Sequence, residues 1–125
     1  MVIPALERYK PELIIVPSGF DGGAGDPIGR QMMTGEGFKS LTEKLMYCAD
    51  QICAGKILMT HEGGYSAATV PFFAHKVIET LAQEDMGIKD PFQQIIGSLG
   101  QQELQPHQDS LISCLLYTSD AADDA

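Results

Sequence analysis

The chain has 125 residues, which is enough for one small domain with one hydrophobic core, and its 44% apolar and 20% charged residues are typical of a soluble globular protein. The formal net charge of −9 argues against a nucleic-acid partner, which needs a basic face, and no apolar run reaches the roughly 18 residues that span a bilayer, so we expect no membrane partner. The three cysteines, Cys48, Cys53 and Cys114, include no CxxC pair and no even disulfide set, which favours a reducing, cytoplasmic location.

The first predicted elements are the end of a helix and a buried strand. Leu6 to Tyr9 have the pattern of a last helical turn, which Pro11 ends because proline lacks an N–H group and disfavours helix in the residue before it. Residues 13–16 read Leu-Ile-Ile-Val, a short β-branched run that is typical of a strand buried on both faces of a parallel sheet. A glycine-rich loop from Ser18 to Gly29 follows it.

A long helix and a second strand come next. The helix is predicted from about Thr34 to Ala54, with Thr34 as the N-cap and Gly55 as the stop. Its apolar positions recur at spacings of three and four and predict one buried face: Phe38, Leu41, Leu45, Cys48 and Ile52. Lys56 to Thr60 predict a second short buried strand, and the His-Glu-Gly-Gly-Tyr loop of residues 61–65 follows.

The remaining pattern predicts helices. The first runs from about Pro71 to Gln83 with a buried stripe of Phe73, Val77 and Leu81, and shorter helices are predicted over 91–99 and 106–113. Strands that alternate with helices of this length indicate an α/β fold with a parallel sheet and helices on both faces.

The last twelve residues are predicted to be foreign to the domain. From Cys114 the chain reads CLLYTSDAADDA, which resembles translated sequencing-adapter DNA. A segment of that origin would not belong to the fold, so the predicted division is a single domain part over 1–113 and a non-native tail over 114–125.

Both unusual loops follow predicted strands, and this places them together. In open α/β sheets ligands bind beyond the carboxyl ends of the strands, so Asp21 and Tyr65 should meet at one edge of the sheet. The first loop lacks the Gly-Lys-Ser/Thr of a phosphate-binding loop, the G-x-G-x-x-G dinucleotide pattern and the ligand spacing of a calcium loop. By position alone, Asp21 could equally be a metal ligand or a cap on the amides of its own loop.

The segments PELIIVPSGFDGGAGDPIG, TGEGFKSLTEKL and HEGGYS resemble the carboxy-terminal half of the histone deacetylase family. The resemblance is nearest to class II enzymes, bacterial histone deacetylase-like amidohydrolases and acetylpolyamine amidohydrolases, and it covers roughly residues 3 to 113. It implies the arginase/deacetylase α/β fold and zinc-dependent hydrolysis of an N-acyl amide, either acetyl-lysine in a protein or an acylated small-molecule amine. Arginases would instead have an Asp-x-Asp motif here and lack the tyrosine of the Glu-Gly-Gly-Tyr sequence.

The resemblance also implies residue roles. Asp21 stands where the family has its third zinc ligand, the other two lying upstream in an Asp-x-His motif, and Tyr65 stands where the family has the tyrosine that hydrogen-bonds the acetyl carbonyl. Ile28 occupies a position that lines the acyl pocket, and Gly63 and Gly64 correspond to glycines that flank the substrate channel. Residues 1–113 alone hold one ligand of a single Zn²⁺ site, so they are expected to be inactive as a fragment.

Other polar residues are interpreted as structural. Asp26 precedes a proline and is expected to hold its loop by accepting backbone N–H bonds. His75 and His107 lack ligand spacing with Asp21. His61 lies nearest to the predicted site, but the resemblance implies no metal ligand at that position. The rival to an enzyme is a deacetylase-fold protein that lost catalysis and only binds acyl ligands, which the presence or absence of the upstream motifs would decide.

Overall fold

A computed structural model of the chain describes residues 2–99 and 103–121. These residues form two strands and five helices. Helices and strands alternate as far as the second strand, and three helices follow it. In chain order they are α1 Val2–Tyr9, β1 Ile14–Ser18, α2 Gly35–Cys53, β2 Ile57–His61, α3 Val70–Ala82, α4 Gln93–Ser98 and α5 Pro106–Ala121. None of the helices in these two ranges is both long and apolar enough to cross a membrane.

The two strands form a parallel pair, as the alternation of strands and helices predicts. Ile14 of β1 pairs with Ile57 of β2, and the register continues to Ser18 and His61 at the carboxyl ends. Since α2 connects the two strands, β1, α2 and β2 make one crossover unit. Both loops of interest therefore leave the same end of neighbouring strands.

Helix α2 has the ends that its sequence predicts. The Thr34 hydroxyl oxygen accepts a hydrogen bond from the backbone N–H of Gly37 at 3.1 Å, which satisfies a donor that the first turn leaves unpaired. At the other end Ala54 adopts a left-handed conformation, and Gly55, with φ of 74°, follows it.

The core lies between one face of the sheet and the helices. Three phenylalanines form its centre, with Phe20 edge-on to Phe38 at a ring-centroid distance of 5.2 Å and Phe38 tilted against the fully buried Phe73 at 5.3 Å. A second buried cluster joins Ile14 of β1 to Ala49 and Cys53 of α2. Because Phe20 directly precedes Asp21, burial of its ring anchors the start of the glycine-rich loop.

The other face of the sheet corrects one prediction. The strands were expected to be buried on both faces, yet Ile15 is 58% exposed and Leu58 is 50% exposed. In the described residues α1, α2 and α3 pack on the face that carries Ile14 and Met59, and the Ile15 and Leu58 side chains point to the opposite face. The expectation of helices on both faces is therefore not met within the described residues.

The buried face of α2 is also rotated from its predicted position. Leu41 was expected to be buried but is exposed, whereas the neighbouring Thr42 is 2% exposed. The Thr42 hydroxyl donates to the carbonyl of Phe38 at 2.8 Å, so its polar group is satisfied inside the helix and the residue can face the core.

Helix α5 is longer than predicted. It continues from Pro106 through Ala121, past the predicted end at Ser113. Residues 111–117 contain three leucines, which favour helix, and all seven residues are exposed. That the last twelve residues are foreign to the domain stays a prediction.

Candidate active site

The candidate site lies where the β1–α2 and β2–α3 loops meet. The backbone N–H of Phe20 donates to the carbonyl of Gly63 at 2.7 Å, and the N–H of Glu62 donates to the carbonyl of Ser18 at 3.2 Å. These bonds extend the contact of the two strands beyond their ends. They bring the loop of Asp21 and the loop of Tyr65 to one edge of the sheet, as the strand order predicts.

Asp21 lies half-buried between the two loops. A methyl group built on Gly63 would stand 3.0 Å from the Asp21 carboxyl carbon, and one built on Gly19 would stand 2.8 Å from its Oδ1 atom. The carboxylate therefore fits against bare backbone on both sides. Within residues 2–99 and 103–121 its oxygens accept no hydrogen bond, so it does not act as a cap on the amides of its own loop.

Tyr65 presents its side chain to solvent. The residue is 59% exposed, and its backbone N–H donates to Oδ2 of Asp26 at 2.7 Å. The residue before it, Gly64, has a φ of 135°, a conformation that side chains rarely adopt. An exposure of this size shows that the ring does not pack beneath its own loop.

Ile28, the predicted acyl-pocket residue, is 66% exposed on the same loop as Asp21. Its backbone N–H donates to Oδ1 of Asp26 at 2.8 Å, as does that of Gly29 at 3.1 Å. Ile28 is therefore not part of the core of the described residues.

Asp26 has a wider role than its sequence predicts. The Asp-Pro-x-Gly pattern indicates a carboxylate that binds the amides of its own loop, but the bond to residue 65 spans 39 positions and has no signal in the sequence. Burial of the Asp26 carboxyl acts to raise its pKa, but the N–H bonds from Tyr65, Ile28 and Gly29 outweigh that effect and leave the pKa below its ordinary value.

The described contacts of the histidines involve neither Asp21 nor Tyr65. The His61 ring packs on Phe20 at a centroid distance of 5.4 Å, and Nε2 of His75 lies 3.0 Å from a carboxylate oxygen of Glu79 on α3. His107 is exposed at the start of α5. No group of three or more His, Cys, Asp or Glu side chains that could hold a metal occurs in the described part of the chain.

The buried cysteines belong to the core. Cys48 and Cys53 are free thiols inside the fold, and Sγ of Cys53 lies 3.4 Å from the carbonyl of Lys56. Burial raises the pKa of Cys48, and the negative charge of Glu7 acts in the same direction. A raised pKa disfavours the reactive thiolate.

Comparison with known proteins shows which protein family the chain resembles. A model of the histone deacetylase domain matches residues 1–81. The chain is 41% identical over 96 residues to a histone deacetylase-like amidohydrolase of Pseudomonas aeruginosa, covering 77% of this chain and 25% of that protein. It is 36% identical over 81 residues to histone deacetylase clr3 of Schizosaccharomyces pombe, covering 65% of this chain and 11% of that protein.

Solved structures agree with the sequence comparison. The structure of the histone deacetylase Clr3 superimposes with a TM-score of 0.67 at 26% identity, over 90% of this chain and 17% of that one. The crystal structure of the HDA15 HD domain superimposes with a TM-score of 0.57 at 30% identity, over 72% of this chain and 24% of that one. The fold is thus the α/β fold of histone deacetylase domains. The chain belongs to the histone deacetylase family, and it spans about a quarter of the length of the Pseudomonas relative.

Proposed function

We propose that this segment supplies part of the active site of a zinc-dependent deacetylase that hydrolyses N-acetyl amides, with acetyl-lysine or an acetylated polyamine as substrate. The observation that carries the proposal is the pairing of two residues at one sheet edge: the Asp21 carboxylate, which accepts no hydrogen bond from the described residues, and the exposed Tyr65 phenol. Family membership and the amidohydrolase and deacetylase names of its relatives support the reaction class.

The surroundings of Asp21 fit a zinc ligand. Carboxylate oxygens are regular zinc ligands, and the Asp21 oxygens are left free to bind by a cradle of glycine backbone at residues 19 and 63. The chemistry that a bound zinc ion supplies is polarisation of the amide carbonyl. Asp21 would be one of about three protein ligands, so the others come from outside residues 1–113.

Tyr65 would act on the oxygen of the same amide. Its phenol can donate a hydrogen bond to the carbonyl oxygen as negative charge develops there during attack by water. The exposed Ile28 side chain would contact the acyl group, and the bare backbone of Gly63 and Gly64 would let the stem of the substrate pass close to the chain.

The reaction class is tested with a full-length deacetylase domain that contains this segment. We expect purified protein to release acetate from an acetyl-lysine peptide or from an acetylated polyamine, to lose that activity with a zinc chelator, and to recover it when zinc is restored. Activity that survives complete removal of zinc would contradict zinc dependence. Absence of hydrolysis with both substrates in zinc-loaded protein would contradict the deacetylase assignment.

The cradle around Asp21 gives a second prediction. In the same full-length domain, Gly63→Ala would place a methyl group 3.0 Å from the Asp21 carboxylate, which must then move by a few tenths of an ångström. Since small displacements at a catalytic site are costly, we expect kcat/KM to fall roughly tenfold or more.

Gly97→Ala is the matched control for this change. Gly97 lies in α4, and a methyl group built on it meets no atom within 4 Å. Its replacement should leave kcat/KM unchanged. Equal kinetics of the Gly63 variant and the wild type would show that the Asp21 position does not matter for turnover.

A further inference from the structure

We infer that Asp26 is a positioning residue for Tyr65, holding the backbone of the tyrosine against the loop of Asp21 so that the phenol stands at the reacting centre. The inference deepens the proposed function and depends on it. Asp26 thus orients Tyr65, a residue of the neighbouring loop, without contacting the substrate itself.

The hydrogen bonds of Asp26 divide between the two loops. Its Oδ1 accepts from Ile28 and Gly29 in its own loop, at 2.8 and 3.1 Å. Its Oδ2 accepts from the backbone N–H of Tyr65 in the other loop, at 2.7 Å. Each oxygen therefore has its own set of donors, and only the carboxylate, which accepts through both oxygens, satisfies all three.

Tyr65 depends on this bond because it has few other restraints. In the described residues the Asp26 contact is the one hydrogen bond that Tyr65 makes, and its side chain is mostly in solvent. Before Tyr65, the carbonyl of Gly63 accepts a hydrogen bond from the N–H of Phe20. After it, the carbonyl of Ser66 accepts a hydrogen bond from the N–H of Val70. The Asp26 bond fixes the residue between these two points.

The charge state of Asp26 suits the task. Because its pKa is held below the ordinary value, the carboxylate is ionised throughout the neutral range. A group with a depressed pKa contributes its bonds above its ordinary pKa and loses them only as the pH falls through the lowered value. The positioning effect should therefore be constant in any assay near neutral pH.

The test is a double-mutant cycle in the full-length domain. Asp26→Asn keeps the shape of the side chain but removes its negative charge and replaces one acceptor oxygen with an NH₂ group, so the bond to Tyr65 is weakened or lost whichever way the amide is oriented. We expect kcat to fall roughly tenfold to a hundredfold with KM and zinc content near those of the wild type. Asp85→Asn is the control, because Asp85 also accepts a backbone N–H, from Gly87 at 2.8 Å, beyond the far end of α3.

The cycle separates positioning from general stability. If Asp26 acts through the phenol, Asp26→Asn should change kcat little when Tyr65 is already phenylalanine. The same loss of kcat in both backgrounds, or no loss in the wild-type background, would overturn the inference.

A second measurement does not require activity. Hydrogen exchange of the Tyr65 amide, followed by NMR, should be slow in the wild type and at least tenfold faster in Asp26→Asn. A fast-exchanging Tyr65 amide in the wild type would overturn the inference even if the variant failed to fold. Slow exchange in a wild type that hydrolyses no acetyl amide would instead refute the proposed function and leave the positioning contact standing.

Discussion

Asp21→Ala should remove most of the bound zinc from a full-length deacetylase domain that contains this segment. A catalytic zinc has about three protein ligands, so loss of one leaves two donors that cannot close the site. The structure gives Asp21 no hydrogen-bonding role in the described residues that the alanine would disturb, and its neighbours Gly19 and Gly63 offer no side chain that could replace it. We therefore expect loss of zinc without loss of the fold.

Metal analysis of the purified variant measures its zinc content, and circular dichroism checks that it is folded. Asp50→Ala is the matched control, because it removes an exposed carboxylate from α2 and should leave the zinc content unchanged. Stoichiometric zinc in Asp21→Ala would exclude Asp21 as a ligand.

Tyr65→Phe should lower kcat by roughly 10² to 10³ while zinc stays bound, because one donor to the developing oxyanion is lost and nothing else changes. The side chain is 59% exposed, so removal of its hydroxyl should cost little stability. The effect should appear in kcat more than in KM, since the hydrogen bond strengthens as charge develops.

Steady-state kinetics on an acetyl-lysine peptide provide the readout. Tyr47→Phe is the control, since Tyr47 is an exposed tyrosine on α2, and it should match the wild type. A Tyr65→Phe variant that retains the wild-type kcat would remove the phenol from the mechanism.

Local sequence signals were sufficient for the strands, for the ends of α2 and for the meeting of the two loops. The β-branched run before Ser18 predicts β1, and Thr34 and Gly55 mark the two ends of α2 because caps depend on the chemistry of single residues. The alternation of strands and helices predicts the parallel pair, which the register of β1 and β2 confirms. The meeting of the Asp21 and Tyr65 loops follows from that pairing alone.

What the sequence could not predict depends on contacts between distant positions. Ile15 and Leu58 have the pattern of buried strand residues, but their exposure depends on which elements cover that face of the sheet. Thr42 replaces Leu41 on the buried face of α2 because its hydroxyl is satisfied by a backbone carbonyl, which apolar spacing does not encode. The bond from Tyr65 to Asp26 exists only once the two loops have been brought together.

The most direct test is a crystal structure of the full-length domain with anomalous diffraction measured at the zinc absorption edge. The proposed function predicts one strong anomalous peak about 2.0–2.2 Å from a carboxylate oxygen of Asp21, with the Tyr65 hydroxyl facing the same space. If zinc-loaded protein has its zinc peak elsewhere, or has no zinc peak near Asp21, the assignment of this sheet edge as a deacetylase active site is contradicted.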